Sequence, residues 1–225
     1  MQVGENEYFM QAKTDQVAVE FQLINRKGEI LQGEEGYSRK GEESGNASYY
    51  ISQTRLDTQG KITVSGVNYK VSGLSWMDHE FSTSALGEDQ VGWDWFALQM
   101  DNDTEIMLFT LRKEDGSIDS FSSATLILAD GRTQKFNSNQ FTVEVKEQWK
   151  SPKTGAVYPS GWRIFIPEVE ILIDVRPLIP DQELVVSYVY WEGAVFAQGN
   201  MGDRTVSGYG YVELTGYGQS MRGRF

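Results

Sequence analysis

Along most of this chain apolar residues alternate with polar ones, and turn signals break the alternation at short intervals. That period of two puts successive side chains on opposite faces, which is the signature of antiparallel strands rather than helices. Val17-Ala-Val-Glu-Phe-Gln-Leu-Ile24 closes on Asn25-Arg-Lys-Gly28, and residues 61–71 read as a hairpin turning at Ser65-Gly66. Residues 95–100 turn through Asp101-Asn-Asp-Thr104 into 105–112, while Asp115-Gly116 and Asp130-Gly131 mark tight turns around 123–128. All five prolines lie between Pro152 and Pro180, around expected strands at 162–166 and 170–175. Strands return at 183–190 and 208–217, and no segment sustains a helical period. The expectation is an all-β protein that hides its many strand edges by closing sheets into barrels.

At 225 residues the chain is long enough for one large β domain or two small ones. A stretch rich in Ser, Thr, Gly and acidic residues between Ser82 and Gln90 separates two strand-rich regions, so two units are expected, 1–84 and 85–225. A net charge of −12 opposes nucleic acid and anionic membrane surfaces, both of which select a basic footprint. With no cysteine, disulfides, thiolate metal sites and cysteine nucleophiles are excluded. Residues 2–11 contain charges and no apolar core of a signal peptide, and no run approaches the roughly 20 apolar residues of a membrane span. The compartment stays open.

Trp76-Met-Asp-His-Glu-Phe81 and Gly92-Trp-Asp-Trp-Phe96 concentrate the only histidine and three of the six tryptophans within 21 residues. In a strand His79 points with Met77 and Phe81, while Asp78 and Glu80 share the other face with Trp76. His79 is then either an interior histidine bonded to a backbone carbonyl or a working acid–base group. Asp94 faces away from Trp93 and Trp95, so either the indoles or the carboxylate enters the interior. A buried Asp94 would be pushed toward its neutral form and could donate a proton; a solvated one would only cap a turn. No metal site is expected, because one histidine and scattered carboxylates match neither an EF-hand nor a zinc set. No nucleophile elbow, P-loop or dinucleotide fingerprint occurs. Tyr49-Tyr50 and Tyr209-Gly-Tyr211 read as cross-strand packing that could also line an apolar pocket.

Read together, Gly36-Tyr-Ser-Arg-Lys-Gly41, Asn46-Ala-Ser-Tyr-Tyr50, Thr54-Arg-Leu56, Trp76-Met-Asp-His-Glu80, Gly92-Trp-Asp-Trp-Phe96, Tyr190-Trp-Glu-Gly-Ala194 and Gly210-Tyr-Val-Glu-Leu-Thr-Gly-Tyr217 resemble the carotenoid 1,2-hydratase (hydroxyneurosporene synthase) family. Its members are AttH-like, lipocalin-like proteins often described as predicted secreted hydrolases. The resemblance implies two packed lipocalin-like antiparallel β-barrels. The chain corresponds to the later part of the family sequence, so the first barrel can be incomplete. Sheet edges left open in this way would favour a homo-oligomer. A periplasmic or membrane-associated setting is what the family implies.

For function, the resemblance implies a hydro-lyase, independent of any cofactor, that adds water across a double bond of a long apolar polyene. In that scheme Asp94 donates the proton, His79 positions or deprotonates the water, and Trp76, Phe81, Trp93 and Trp95 shape the cavity. Phe81 stands where tryptophan is expected in many relatives. Two alternatives stand beside it: a non-catalytic carrier of a hydrophobic ligand, and a pericyclase-like catalyst that holds a polyene in a productive shape.

Overall fold

In a computed structural model that describes residues 2–43, 45–82 and 86–221, nearly every regular element is a strand. A six-stranded antiparallel sheet contains β1 (Glu7–Lys13), β2 (Val17–Asn25), β3 (Ile30–Leu31), β4 (Tyr37–Arg39), β5 (Ala47–Val64) and β6 (Val67–Ser82). The long β5–β6 hairpin is its backbone. It turns at Ser65 and Gly66, both at positive φ, the geometry that matches strand twist. β2 and the short β3 and β4 pair with one side of β5, and β6 pairs with the other; among the described residues no strand pairs with the outer edge of β6.

The second sheet has ten strands: β7 (Gln90–Met100), β8 (Glu105–Lys113), β9 (Ser123–Ile127), β10 (Thr133–Asn137), β11 (Thr142–Lys150), β12 (Val157–Ile166), β13 (Ile171–Pro177), β14 (Glu183–Val185), β15 (Val189–Met201) and β16 (Arg204–Leu214). They run in the order β10-β9-β8-β7-β16-β15-β13-β12-β11, with β14 added to β15. This sheet curls around its own core. Phe96 on β7 meets the ring of Trp162 on β12, four strands further along, at 5.4 Å, and Trp162 meets Trp191 at 6.2 Å. Alternate residues of eight of these strands fill the enclosed space, among them Leu98, Ile106, Leu108, Phe136, Ile164, Ile173, Val195 and Val212. The expected all-β, lipocalin-like architecture is present, with the first sheet a curled half-barrel.

The sequence pattern differs from the structure at 183–190, expected as one strand. The chain reverses there, because Val186 N–H donates to Tyr188 O, and β14 folds back onto the start of β15 with Val185 opposite Val189. The expected division between residues 84 and 85 lies outside the described residues.

Side chains from both sheets knit them together. Glu105, fully buried at the start of β8, accepts from Lys27 at 2.7 Å, in the loop between β2 and β3, and from Arg55 at 2.5 Å and Thr54 at 3.1 Å on β5. Lys27 also donates to the backbone oxygens of Asp103 and Leu128, and Arg55 to that of Met100. Gln99 on β7 donates to the carbonyls of Thr54 and Ser75, and Gln90 to that of Lys40. These bonds hold the inner face of β5 and β6 over the outer face of β7, β8 and β16.

Candidate functional site

Between those two faces lies a cavity of about 790 Å³. Strand alternation decides what enters it. On β7, Gly92, Asp94, Phe96 and Leu98 point into the barrel, and Trp93, Trp95, Ala97 and Gln99 face the cavity. On β16, Val212 and Leu214 are core, and Tyr209, Tyr211 and Glu213 line the cavity. From the first sheet β6 contributes Leu74, Trp76, Asp78 and Glu80, β5 contributes Tyr50, and Lys40 enters from the loop after β4.

Polarity is graded along every one of these strands. β6 runs from Glu80 through Asp78 and Trp76 to Leu74, β16 from Glu213 through Tyr211 to Tyr209, and β7 from Trp93 through Trp95 to Ala97. All the ionisable carboxyl and ammonium groups of the wall therefore sit at one end, and the other end, with Leu74, Ala97, Ser75, Gln99 and Tyr209, carries no charge. The register enforces this: Glu213 lies opposite Trp95 and Tyr209 opposite Gln99, while Gln99 bonds to Ser75 on the far wall.

At the polar end Glu213 accepts a hydrogen bond from the Trp93 indole N–H at 2.7 Å. Burial, reinforced by the negative charges of Glu192, Glu80 and Asp78, outweighs that bond and pushes its pKa up to about 7. Asp78 belongs to an exposed edge strand, but its carboxyl group turns inward. It accepts from Ser52 at 2.6 Å, Tyr50 at 2.7 Å and the Trp76 indole at 2.8 Å. Desolvation still raises its pKa above the ordinary value against these three donors. The Tyr50 hydroxyl in turn accepts from the Trp95 indole at 2.9 Å, giving a chain Trp95–Tyr50–Asp78. Burial and the nearby carboxylates hold that phenol well above its usual pKa, so it serves as a donor.

Glu80 accepts from Ser48 at 2.7 Å and pairs with Lys40 at 3.3 Å. Lys40, among the described residues the one cation of the wall, lies 3.9 Å from the centre of the Phe109 ring and 5.0 Å from that of Tyr50. Burial lowers its pKa, with Glu80 opposing. Among the described residues no group of three or more His, Asp or Glu side chains is placed to hold a metal ion.

Of the six residues singled out in the sequence, Trp76, Trp93 and Trp95 meet in the cavity, with Trp76 and Trp95 in edge contact at 6.3 Å. The others are elsewhere. Asp94 points into the barrel, 5% exposed, ion-paired to Arg112 at 2.9 Å and accepting from the Tyr217 hydroxyl at 2.9 and 3.0 Å. Burial raises its pKa, opposed by Arg112, and it is not among the residues that line the cavity. His79 and Phe81 share the outer, exposed face of β6, their rings 4.3 Å apart, because the parity that turns Asp78 and Glu80 inward turns them out. Asp94 and His79 are thus separated from each other and from the cavity. Asp94→Asn is expected to act on stability: it keeps the shape but weakens a charge-assisted bond to Arg112, costing about 1–3 kcal/mol in chemical denaturation. Ligand binding in the cavity should be unchanged.

Sequence reasoning missed Glu213, Lys40 and the inward role of Asp78 and Glu80, whereas Tyr50, Tyr209 and Tyr211, read as able to line a pocket, do line the cavity. For Glu213 a signal existed, since it continues the face of Tyr209 and Tyr211 two residues on. Lys40 carries none, because its place depends on the loop that follows β4.

A family model for AttH-like proteins matches residues 1–217. Among solved structures, an AttH candidate from Nitrosomonas europaea is 34% identical and superposes with a TM-score of 0.87, covering 96% of this chain and 67% of that one. Kievitone hydratase from Nectria haematococca, at 20% identity, gives 0.77 over 97% of this chain and 68% of its own. CghA, solved with Sch210972, gives 0.55 at 10% identity over 93% and 63%. The last two likenesses are of fold alone. No curated protein sequence matches, and the chain spans about two thirds of each of these structures.

Proposed function

The chain belongs to the AttH-like family, and from that premise we propose that it is an acid–base catalyst of water addition to, or removal from, an apolar alkene bound in the aromatic cavity. The observation that carries this reading is Glu213, a carboxyl group with its pKa raised to about 7 and its indole-bonded oxygen fixed against an aromatic wall. Half-protonated near neutral pH, it is matched to general acid catalysis.

In the addition direction the Glu213 O–H proton passes to the less substituted carbon of the alkene. The π electrons form the new C–H bond and leave a tertiary cation. The faces of Trp76, Trp93 and Trp95 and the carboxylate of Asp78 stabilise that charge as it develops. Asp78 has accepted three hydrogen bonds and keeps a lone pair, so it can take a proton from the attacking water. The product is an alcohol whose new C–H bond holds the Glu213 proton, Asp78 holds a proton from the water, and proton exchange with solvent returns Glu213 to its acid form and Asp78 to its carboxylate. Elimination runs through the same groups in reverse. In this scheme Glu213 and Asp78 replace Asp94 and His79, and no cofactor takes part.

For the substrate we propose an acyclic polyene, a terminal trisubstituted alkene of the carotene kind. That kievitone hydratase shares the fold supports a hydratase, and that CghA does so supports a cyclisation catalyst, as reasons of analogy. The test is mass spectrometry of products after incubation with detergent-dispersed neurosporene or lycopene. A gain of one water is expected. An isomer of unchanged mass would replace hydration by cyclisation, and a bound, unaltered polyene would leave a carrier.

A further inference from the structure

The uncharged end of the cavity does not stop at its own wall. Tyr209, the last tyrosine of that wall, is 62% exposed and makes an edge contact at 5.5 Å with Phe196 of β15, its register partner on the same face. Phe196 does not line the cavity. Its ring is backed by Arg176 of β13, whose guanidinium carbon lies 5.3 Å from the ring centre. The outer face of the second sheet thus continues from the cavity through Tyr209 to a supported aromatic ring. β6, the strand of the facing sheet that lines the cavity, has among the described residues no strand paired beyond its outer edge.

Length decides what that continuation does. Glu213 and Tyr209 are four residues apart on one strand, about 13 Å at the usual rise. By ordinary bond lengths and angles an extended isoprene repeat is about 5 Å, so two to three repeats fill the distance from the acid to the rim. A longer chain inserted with its reacting end at Glu213 must leave the cavity over Tyr209.

We propose that Phe196, with Tyr209 before it and Arg176 behind it, is a tail subsite that selects linear apolar substrates longer than the cavity. This rests on the proposed function for the direction of insertion, but binding alone tests it. A long chain gains contact with the Phe196 ring that a short chain cannot reach, which makes Phe196 a determinant of chain length and not of chemistry.

The experiment titrates geraniol, with two isoprene units, and geranylgeraniol, with four, into the intact protein and follows the emission of the cavity tryptophans. Wild type should bind the longer alcohol more tightly. Phe196→Ala should weaken geranylgeraniol about tenfold, the order expected for losing one ring-sized apolar contact. Geraniol should change by less than about twofold on the same grounds. Phe196→Leu should restore part of the loss, and circular dichroism should show both variants folded. Equal weakening of both alcohols, or of neither, overturns the subsite and leaves the proposed function standing. Wild type that binds both alcohols equally does the same. Wild type that binds neither overturns both.

Discussion

Glu213→Gln should lose turnover by about 10² to 10⁴-fold, the usual contribution of a positioned general acid, while the protein becomes more stable at pH 8. Both effects follow from one property. The folded state holds the Glu213 proton up to about pH 7 against an ordinary 4.5, so the folded state binds more protons than the unfolded chain across that window. Stability present below pH 4.5 is therefore lost as the pH rises toward 7, and the ionised carboxylate costs up to about 3 kcal/mol above it. Glutamine keeps an oxygen for the Trp93 indole and carries no charge, so it removes that cost. Denaturation midpoints of the two proteins should coincide near pH 4 and separate toward pH 8, with the variant higher. Wild-type activity should fall as pH rises through about 7, because the acid must be protonated. Midpoints that run in parallel across the pH range would mean that Glu213 ionises as an ordinary carboxylate, and the proposed acid would go with it.

The second large effect concerns the joint between the sheets. Glu105→Ala leaves Lys27, 3% exposed, and Arg55, 10% exposed, without the carboxylate that both address. Removing one partner of a buried ion pair costs about 3–5 kcal/mol, because the remaining charge stays desolvated. Against a typical total of about 5–15 kcal/mol, that is enough to unfold a large share of molecules on mild heating. Glu105→Gln retains an acceptor for Arg55 and Thr54 and should fall between the two. Urea titration measures both. An alanine variant within about 1 kcal/mol of wild type would show that the sheets are held by apolar contact and not by this ion cluster.

Much of the fold was legible because period-two alternation is a local property: turns at Ser65-Gly66, Asp115-Gly116 and Asp130-Gly131 occur where side-chain chemistry places them. The strand parities of both motifs were legible too. Asp78 and Glu80 do oppose His79, and Asp94 does oppose Trp93 and Trp95. Parity alone cannot say which side of a strand meets the cavity, and that depends on a second sheet whose position is set by Glu105, Gln99 and Gln90. Asp94 is also buried between indoles in sequence, yet its burial is satisfied by Arg112 and Tyr217, residues 18 and 123 positions away. The raised pKa of Glu213 was not legible, since it comes first from burial and then from Glu192, Glu80 and Asp78, which only the assembled sheets bring near it.

Strand β7 is at once a wall of the cavity and a wall of the barrel, with the two duties assigned to alternate residues. Changes at positions 93, 95 and 97 alter what the cavity accepts without touching Phe96, Leu98 and Met100, on which folding depends. A lineage with this strand can therefore explore new substrates at little risk to its fold, and divergent chemistry on one conserved barrel is the history such a wall makes easy.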